Sequence, residues 1–315
     1  MKRTRRPRRG AALLVAMVVL TLVSTLAAGM IWQQSRAIEV ESAERTRAQA
    51  AWILTGALDM GRVTLRVDAR TPGVDHLGEL WATRLEEASL SSLLAQDRNN
   101  NAEGSAEVFL GGSIRDAQER YNLHNLVEPA THKLVQAEVE TLVRLCESAG
   151  VAPETAQTIA AGLQAAWLAE TPGADEPTAA LVPRSVEQLV WLGLDEDTLR
   201  RLRPYVELLP EPTPLNINTA SAEVLAGVIP ELDLGSAKRI VSRRPFKTLE
   251  GARGEIQGEG ALDAARLSVG SSYFVISGRL RMDGRLLEEQ MLVKRQNREV
   301  VSLMRTRQAL QPGME

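Results

Sequence analysis

Residues 11–31 constrain the fold of this chain more than any other stretch, because they carry no charged side chain. A helix that rises about 1.5 Å per residue needs roughly 20 apolar residues to cross a hydrocarbon core of about 30 Å. Such a helix also satisfies its own backbone hydrogen bonds, which lipid cannot do. The sequence therefore predicts a membrane-spanning helix close to the N-terminus.

The charges on either side of this segment predict its orientation. Six cations precede it, whereas the first cation after it is Arg36. The six are Lys2, Arg3, Arg5, Arg6, Arg8 and Arg9. The positive-inside rule therefore places the N-terminus in the cytoplasm and exports the remainder, with Trp32 at the far interface.

A signal peptide is the alternative interpretation of the same segment. Its removal would need small residues beyond the apolar core, and Ala27-Ala28-Gly29 would serve. However, the apolar run is longer than the core of a usual signal peptide, and it passes into a helical pattern without a break. A retained anchor is therefore favoured.

Charge and cysteine content argue against several classes of protein. The net charge is −3, and it becomes −9 without the six leading cations, so the exported part lacks the basic footprint of non-specific DNA binding. Cys146 is the only cysteine, which excludes a disulfide within one chain. The histidines, His76, His124 and His132, lie in no metal or nucleophile motif, so no enzyme is predicted.

Residues 33–68 extend the first helix with an apolar stripe among charged residues. Taken from Ala11 to Val67, the pattern predicts one helix of roughly 85 Å, which Thr71-Pro72-Gly73 ends. Residues 75–103 are ambiguous between a short helix and an ordered loop. The segment 97–104 is rich in oxygen ligands but departs from a calcium loop at its sixth and twelfth positions, so a solvated turn is favoured.

Strand patterns occur in two separate parts of the chain. Residues 106–123 predict a hairpin that turns at Gly111-Gly112, and residues 271–305 predict a meander with a tight turn at Asp283-Gly284. Because a lone hairpin is not stable, the two parts predict one antiparallel sheet built from both ends, with a helical block between its strands. The fold class is therefore α+β, with an all-α insertion.

The inserted block is predicted as helices separated by proline and glycine. Pro129 is predicted in the first turn of a helix that Gly150 ends, and a second helix follows Pro153. Two further helical pieces are predicted over 185–192 and 195–209. The predicted domains are a leader (1–10), a transmembrane and amphipathic helix (11–70), the first part of a sheet domain (71–125), the inserted helical domain (126–270), the last strands (271–305) and a tail (306–315).

Residues 215–246 resemble a helix-hairpin-helix unit, whose turn can bind a nucleic-acid phosphate through backbone N–H groups. Asn218 or Thr219 is predicted to cap the first helix, and 234–243 forms the second. Glu231 and Asp233 lie where the phosphate would sit and would repel it. A packing unit is therefore favoured, and a membrane-anchored receptor for DNA uptake is the alternative function.

The junction Arg9-Gly10-Ala11 resembles the leader of a type IV prepilin, in which a glycine lies between a basic leader and the apolar helix. The resemblance implies that a prepilin peptidase cuts between Gly10 and Ala11. It also implies that the new N-terminal residue, Ala11, is methylated and that the apolar helix is retained.

The whole layout, with residues 116–127 (DAQERYNLHNLV) and 215–227 (LNINTASAEVLAG), resembles the pseudopilin K family of type II secretion. The resemblance implies a pilin-like long N-terminal helix packed on an antiparallel sheet that carries a large inserted helical domain. It implies a single-pass inner-membrane protein with a periplasmic domain, which caps the tip of the pseudopilus and supports protein export. The implied partners are the I-type and J-type minor pseudopilins, the prepilin peptidase and the inner-membrane platform, and no nucleic acid.

The resemblance also bears on one position of the apolar helix and on a metal site. Most pseudopilins have a glutamate at the fifth mature residue, whose charge is costly in lipid unless it meets a neighbour's N-terminal amine. Here that position is Val15, so this subunit can only be the first in a filament. The resemblance also implies calcium in the sheet domain, for which Asp97, Asn99 and Asp116 are candidate ligands.

Overall fold

The computed structural model describes residues 9–70, 73–94, 108–169, 181–256, 262–282 and 284–310. The chain divides into two units, residues 1–55 and 56–315. The predicted long helix is confirmed as α1 (Arg9–Asp68), which begins in the first unit and ends in the second. In the first unit, all side chains from residue 11 to residue 45 are exposed. By length and composition, the described part of α1 is long and apolar enough to cross a membrane.

The second unit contains strands from both ends of the chain, as predicted. In chain order the strands are β1 (Leu85–Ser89), β2 (Val108–Asp116), β3 (Tyr121–Asn122), β4 (Val206–Glu207), β5 (Leu215–Asn216), β6 (Leu267–Ser268), β7 (Tyr273–Met282), β8 (Arg285–Gln296) and β9 (Glu299–Leu310). Five of them form an antiparallel sheet in the order β1-β2-β7-β8-β9. The helical block lies between β2 and β7 in the sequence, so β2 pairs with a strand that follows the whole insertion.

The predicted hairpin over 106–123 is wrong, because β2 continues through Gly111-Gly112 as one strand. A Cβ at Gly111 would lie 3.3 Å from the carbonyl oxygen of Leu85, and one at Gly112 would lie 2.9 Å from that of Ser277. The glycines therefore admit the close backbones of β1 and β7 rather than a turn. The strand β1 falls in the stretch whose pattern was ambiguous, and Tyr121 pairs with β4 outside the main sheet.

One face of the sheet packs on the last turns of α1. Leu58 and Leu65 are fully buried in a cluster with Trp81, Phe274, Ile276, Met291, Val293 and Val300. The rings of Trp81 and Phe274 meet edge to face, with 5.2 Å between their centroids. Burying a leucine side chain stabilises a fold by about 1.5–3 kcal/mol. This contact therefore fixes the last turns of α1, from Leu58 to Leu65, to the sheet.

We expect Gly61→Ala to destabilise the folded protein by about 1–3 kcal/mol, since a Cβ on Gly61 would lie 2.6 Å from Cγ2 of Ile276. The measurement is denaturant unfolding of the full-length protein in detergent micelles. Gly56→Ala is the matched control, because a Cβ there meets nothing within 4 Å. The control should be neutral or stabilise the helix by up to about 1 kcal/mol, and equal losses in both variants would contradict this account of the contact.

The insertion folds around its own apolar core, which includes residues from Tyr121 to Leu267. Its helices are α3 (Gln136–Ser148), α4 (Glu154–Ala169), α5 (Glu196–Leu202), α6 (Ala222–Val228) and α7 (Leu234–Ser242), and a short helix, α2 (Leu90–Leu94), precedes the block. The helical piece predicted over 185–192 is a 3-10 helix, Val186–Leu192. Gly150, in the left-handed region at φ 65°, follows α3 as predicted.

Three details of the predicted block are wrong. Pro129 lies in a turn, and the first helix begins only at Gln136. The piece predicted over 195–209 ends as a helix at Leu202, because the chain then forms β4. The cap of α6 is Ser221, whose hydroxyl accepts a hydrogen bond from Val224 N, rather than Asn218 or Thr219.

Candidate functional site

In the first unit, α1 presents apolar side chains on all sides. Leu13, Leu14, Val15 and Met17 are each at least 60 % exposed, and the first turn of α1 contains no acidic residue. Such a surface suits hydrocarbon rather than water. Gly10 and Ala11, the predicted cleavage site, lie within the first turns of this helix, and Ala11 is exposed.

An aromatic residue, Trp32, follows the far end of the apolar segment. The guanidinium carbon of Arg36 lies 5.1 Å from the centre of the Trp32 ring, which is a cation–π distance. An amphipathic ring with a cation above it is typical of the membrane–water boundary. This arrangement agrees with a span that ends near residue 31.

In the second unit, Asp116 is the centre of a buried polar junction between the sheet and the helical block. Its Oδ2 accepts hydrogen bonds from Asn216 Nδ2 at 3.0 Å, Thr219 Oγ1 at 2.6 Å and Ser271 Oγ at 2.6 Å. Its Oδ1 accepts one from Gln118 N at 2.8 Å. Burial raises the pKa of Asp116 to about 6, while these four donors act in the opposite direction.

The asparagines of the first sequence motif, residues 116–127, bind the backbone of residues 209–213, a segment of the block that lies in no strand. Asn122 Oδ1 accepts from the backbone N of Leu209 at 3.1 Å, and its Nδ2 donates to the carbonyl of Glu211 at 2.7 Å. Asn125 bonds both the N–H and the carbonyl of Thr213 in the same way. These side chains therefore replace backbone partners, and they are buried or half-buried rather than the outer face of a strand.

The asparagines of the second sequence motif, residues 215–227, also hydrogen-bond backbone groups far away in the sequence. Asn216 Nδ2 reaches the carbonyl of Asp75 at 3.1 Å and Ser271 Oγ at 3.0 Å, besides Asp116. Asn218 accepts from the backbone N of Phe246 at 2.8 Å and donates to its carbonyl at 2.9 Å. The two motifs are thus the places where the block is fixed to itself and to the sheet.

Ion pairs across the same junction support it. Arg115 on β2 donates to Glu207 on β4 at 2.7 Å, and Lys294 on β8 pairs with Glu211 at 2.5 Å. Burial is the largest single effect on the Arg115 guanidinium, and it lowers the pKa. The nearby Glu207 and Glu119 carboxylates together outweigh it, so the pKa of Arg115 is raised above its ordinary value. Each pair joins the sheet to the block.

Of the three predicted calcium ligands, the structure describes Asp116 alone. Asp97 and Asn99 lie outside the described residues, so calcium binding there stays a prediction. Asp116 does not fit a calcium ion, because its oxygens already receive the four donors of the junction. Among the described residues, oxygens of Asp68, Asp75 and Glu79 lie within 4.8 Å of one another, but the guanidinium of Arg295 already lies against Asp68 and Asp75.

The helix-hairpin-helix unit has the geometry of a packing element. Asp233 caps α7 through Ser236 N at 3.0 Å, and Glu231 lies in the same turn at φ 62°. Glu255 pairs with both Arg239 and Arg243, which lowers the positive charge available to a phosphate. Gly227 of α6 lies so close to α3 that a Cβ would approach Leu145 Cδ2 to 2.4 Å, so the close approach serves helix packing.

The single thiol and one histidine have structural surroundings. Cys146 is fully buried in the core of the block, and burial raises its pKa to about 11, so the thiol stays protonated. His124 stacks on Trp167 with 4.4 Å between the ring centroids, and its Nδ1 lies 3.0 Å from the carbonyl of Leu209. Burial lowers the pKa of His124, which keeps it neutral within this contact.

The sequence patterns did not predict a role for three residues in or beside the junction: Asp75, Ser271 and Arg295. Asp75 is in an ambiguous loop, and the other two lie within or beside predicted strands, where polar residues are normally solvent-facing. No local pattern marks them, because their partners are far away in the sequence. Only the antiparallel pairing of β7 with β8 places Arg295 beside Ser271.

Known proteins with similar sequences indicate the family to which this chain belongs. Two family models described as "Type II secretion system (T2SS), protein K" match residues 119–211 and 215–272. The type II secretion system protein K of Pseudomonas aeruginosa is 33 % identical over 267 residues, which cover 76 % of this chain and 73 % of that protein. The protein K of Pectobacterium carotovorum subsp. carotovorum is 28 % identical over 263 residues, with 75 % of each chain covered.

A solved structure has a similar fold. The crystal structure of the GspK-GspI-GspJ complex from the enterotoxigenic Escherichia coli type 2 secretion system matches with a TM-score of 0.65 and 19 % identity. The match covers 84 % of this chain and 98 % of that chain. The long helix, the antiparallel sheet and the helical insertion define a pilin-like protein of the α+β class.

The chain belongs to the type II secretion system protein K family. It is therefore a minor pseudopilin of the type II secretion system, and the family is one of structural subunits.

Proposed function

We propose that this minor pseudopilin is a single-pass protein of the inner membrane, with its N-terminus in the cytoplasm and residues beyond the span in the periplasm. The apolar, fully exposed first part of α1 supports the anchor. The six leading cations, against none from residue 10 to residue 35, support the orientation. The domain limits 71–125, 126–270 and 271–305 are part of the same proposal.

The anchor is retained after processing. We assign the cut of the prepilin peptidase to the bond between Gly10 and Ala11, and N-methylation to Ala11. The glycine supports this assignment, since it lies between the basic leader and the apolar helix, as in the prepilins that the leader resembles. Removing the leader discards six charges and exposes a new amine at the start of an apolar helix.

The function that the geometry supports best is capping the tip of the pseudopilus, where the protein supports export across the outer membrane. Val15 carries this proposal. It occupies the position where most pseudopilins have the glutamate that pairs with a neighbour's amine, and no acidic residue precedes Glu39 in the sequence. A subunit without that carboxylate has nothing to pair with the amine of a subunit ahead of it.

The bulk of the helical block supports the same position. An insertion with its own core adds volume that a subunit within a regular filament would have to accommodate on both sides. The partners in this proposal are the I-type and J-type minor pseudopilins and the secretion platform. The similar solved structure is a complex of GspK with GspI and GspJ, which supports the choice of the two minor pseudopilins.

We expect Val15→Glu to lower secretion strongly while leaving the second unit folded, because a carboxylate without a partner amine is costly inside the apolar span. The measurement is the fraction of a secreted reporter outside the cell. Ile38→Glu is the matched control, since Ile38 is a similarly exposed apolar residue of α1 beyond the span, and it should secrete normally. Unchanged secretion by the Val15 variant would contradict the tip argument but not the membership of the family.

A further inference from the structure

Arg295 lies where the end of α1, the loop after it and two strands meet. Its Nη1 donates to Asp68 Oδ2 at 2.7 Å, and its Nη2 donates to both oxygens of Asp75 at 2.6 Å. The same Nη2 donates to the carbonyl of Ser271 at 2.8 Å. The guanidinium carbon also lies 4.8 Å from the centre of the Phe274 ring. One side chain on β8 therefore contacts α1, the loop and β7.

Asp75 extends this contact towards the helical block. Its Oδ2 accepts from Ser271 N at 2.7 Å, and its carbonyl accepts from Asn216 Nδ2 at 3.1 Å. Asn216 and Ser271 in turn both donate to Asp116. Hydrogen bonds therefore run without interruption from Asp68, at the last residue of α1, to the junction that holds the block.

The chain of bonds is shielded from water over most of its length. Asp75 is 5 % exposed, Asp116 and Asn216 are 0 % exposed, and the side chain of Arg295 is 14 % exposed. Buried polar networks of this kind couple their members more strongly than surface pairs do. The planar fork of arginine is also required, since a lysine ammonium cannot span two carboxylates and a carbonyl with one fixed geometry.

The geometry points to Arg295 as a positioning residue that couples the end of α1 to the first residues of the block's second half, 215–219. The guanidinium supplies the cation that the acidic residues around it require, and it fixes their positions relative to the sheet. A change at the end of the anchor helix is thereby transmitted to the block. This coupling is a property of the isolated protein, so it stands or fails independently of the tip function.

The test is hydrogen–deuterium exchange of the full-length protein in detergent micelles, with Arg295→Lys as the main variant. We expect exchange in peptides over 215–219 to become about tenfold faster, while peptides over α4 (Glu154–Ala169) stay unchanged. Arg279→Lys is the matched control, because Arg279 on the adjacent strand pairs with Glu288 of β8, away from the end of α1 and from the block. It should leave both regions unchanged.

A second variant keeps the inference testable if Arg295→Lys fails to fold. Asp68→Asn removes the charge of one arm of the bridge at the end of α1 without touching the block, and it should accelerate exchange over 215–219 to a smaller degree. Combined with Arg295→Lys it should add nothing, because both act through the same contact. Additive effects, a response confined to the neighbourhood of residue 68, or a uniform increase that includes α4 would each overturn the inference.

Discussion

Asn216→Asp is expected to destabilise the folded protein by about 3–5 kcal/mol at pH 7. The substitution keeps the shape of the side chain but replaces Nδ2, which donates to Asp116 at 3.0 Å, by an oxygen. Two carboxyl groups would then face each other at a site where Asp116 and Asn216 are fully buried. The carbonyl of Asp75 would lose its donor as well. The measurement is denaturant unfolding of the full-length protein in detergent micelles.

The loss of stability in Asn216→Asp should be smaller at low pH than at pH 7. Burial already raises the pKa of Asp116 to about 6, and a second carboxylate beside it raises the pKa of the pair further. A group with a raised pKa in the folded state contributes stability at low pH that is lost as the pH rises through that value. The difference in the free energy of unfolding between the variant and the native protein should therefore decrease as the pH falls from 7 to 5.

Asn297→Asp is the matched control for this experiment. It makes the same chemical change at an exposed turn residue between β8 and β9, and it should alter stability by no more than about 0.5 kcal/mol at either pH. A small loss for Asn216→Asp, or a loss that does not change with pH, would show that the Asp116 junction does not hold the block to the sheet.

Gly10→Val is expected to stop maturation completely and to reduce secretion to background. The β-branched side chain would occupy the position at which the peptidase must approach the backbone. Without the cut, six cations remain attached to the anchor, and moving each into the bilayer costs about 2.5–3.5 kcal/mol at its centre. The subunit would then be held at the cytoplasmic face and could not be lifted into a filament.

The measurement for Gly10→Val is mass spectrometry of the N-terminal peptide from the membrane fraction, together with a secretion assay. The native protein should begin with methylated Ala11, and the variant should keep the leader. Ala16→Val is the matched control, since it makes a comparable increase in size within the apolar helix beyond the cut, and it should be processed normally. A mature N-terminus near residue 30, from signal-peptide cleavage, would contradict the retained anchor.

Several elements that depend on local patterns were predicted correctly, although the start of α3, the end of α5 and the cap of α6 were not. The apolar run before Arg36 gives the long helix, Gly284 lies in the left-handed region between β7 and β8, and Gly150 follows the end of α3, because each signal lies within a few residues. The hairpin at Gly111-Gly112 was wrong for the opposite reason. Those glycines serve close contacts with β1 and β7, which the sequence alone does not place nearby.

The candidate sites show the same division. Gly10, Ala11 and Val15 were singled out by their distance along the chain from the basic leader, and their roles stay predictions. The role of Asp116 could not be predicted in this way, since its donors come from 216, 219 and 271, and they meet only after the sheet has formed. The asparagines of residues 116–127 likewise satisfy backbone groups that are far away in the sequence, at Leu209, Glu211 and Thr213.

The most direct test of the tip position is immunogold labelling of assembled pseudopili with an antibody against the folded helical block. If the protein caps the tip, we expect gold at one end of each filament and none along its length. Gold distributed along the filaments would contradict it.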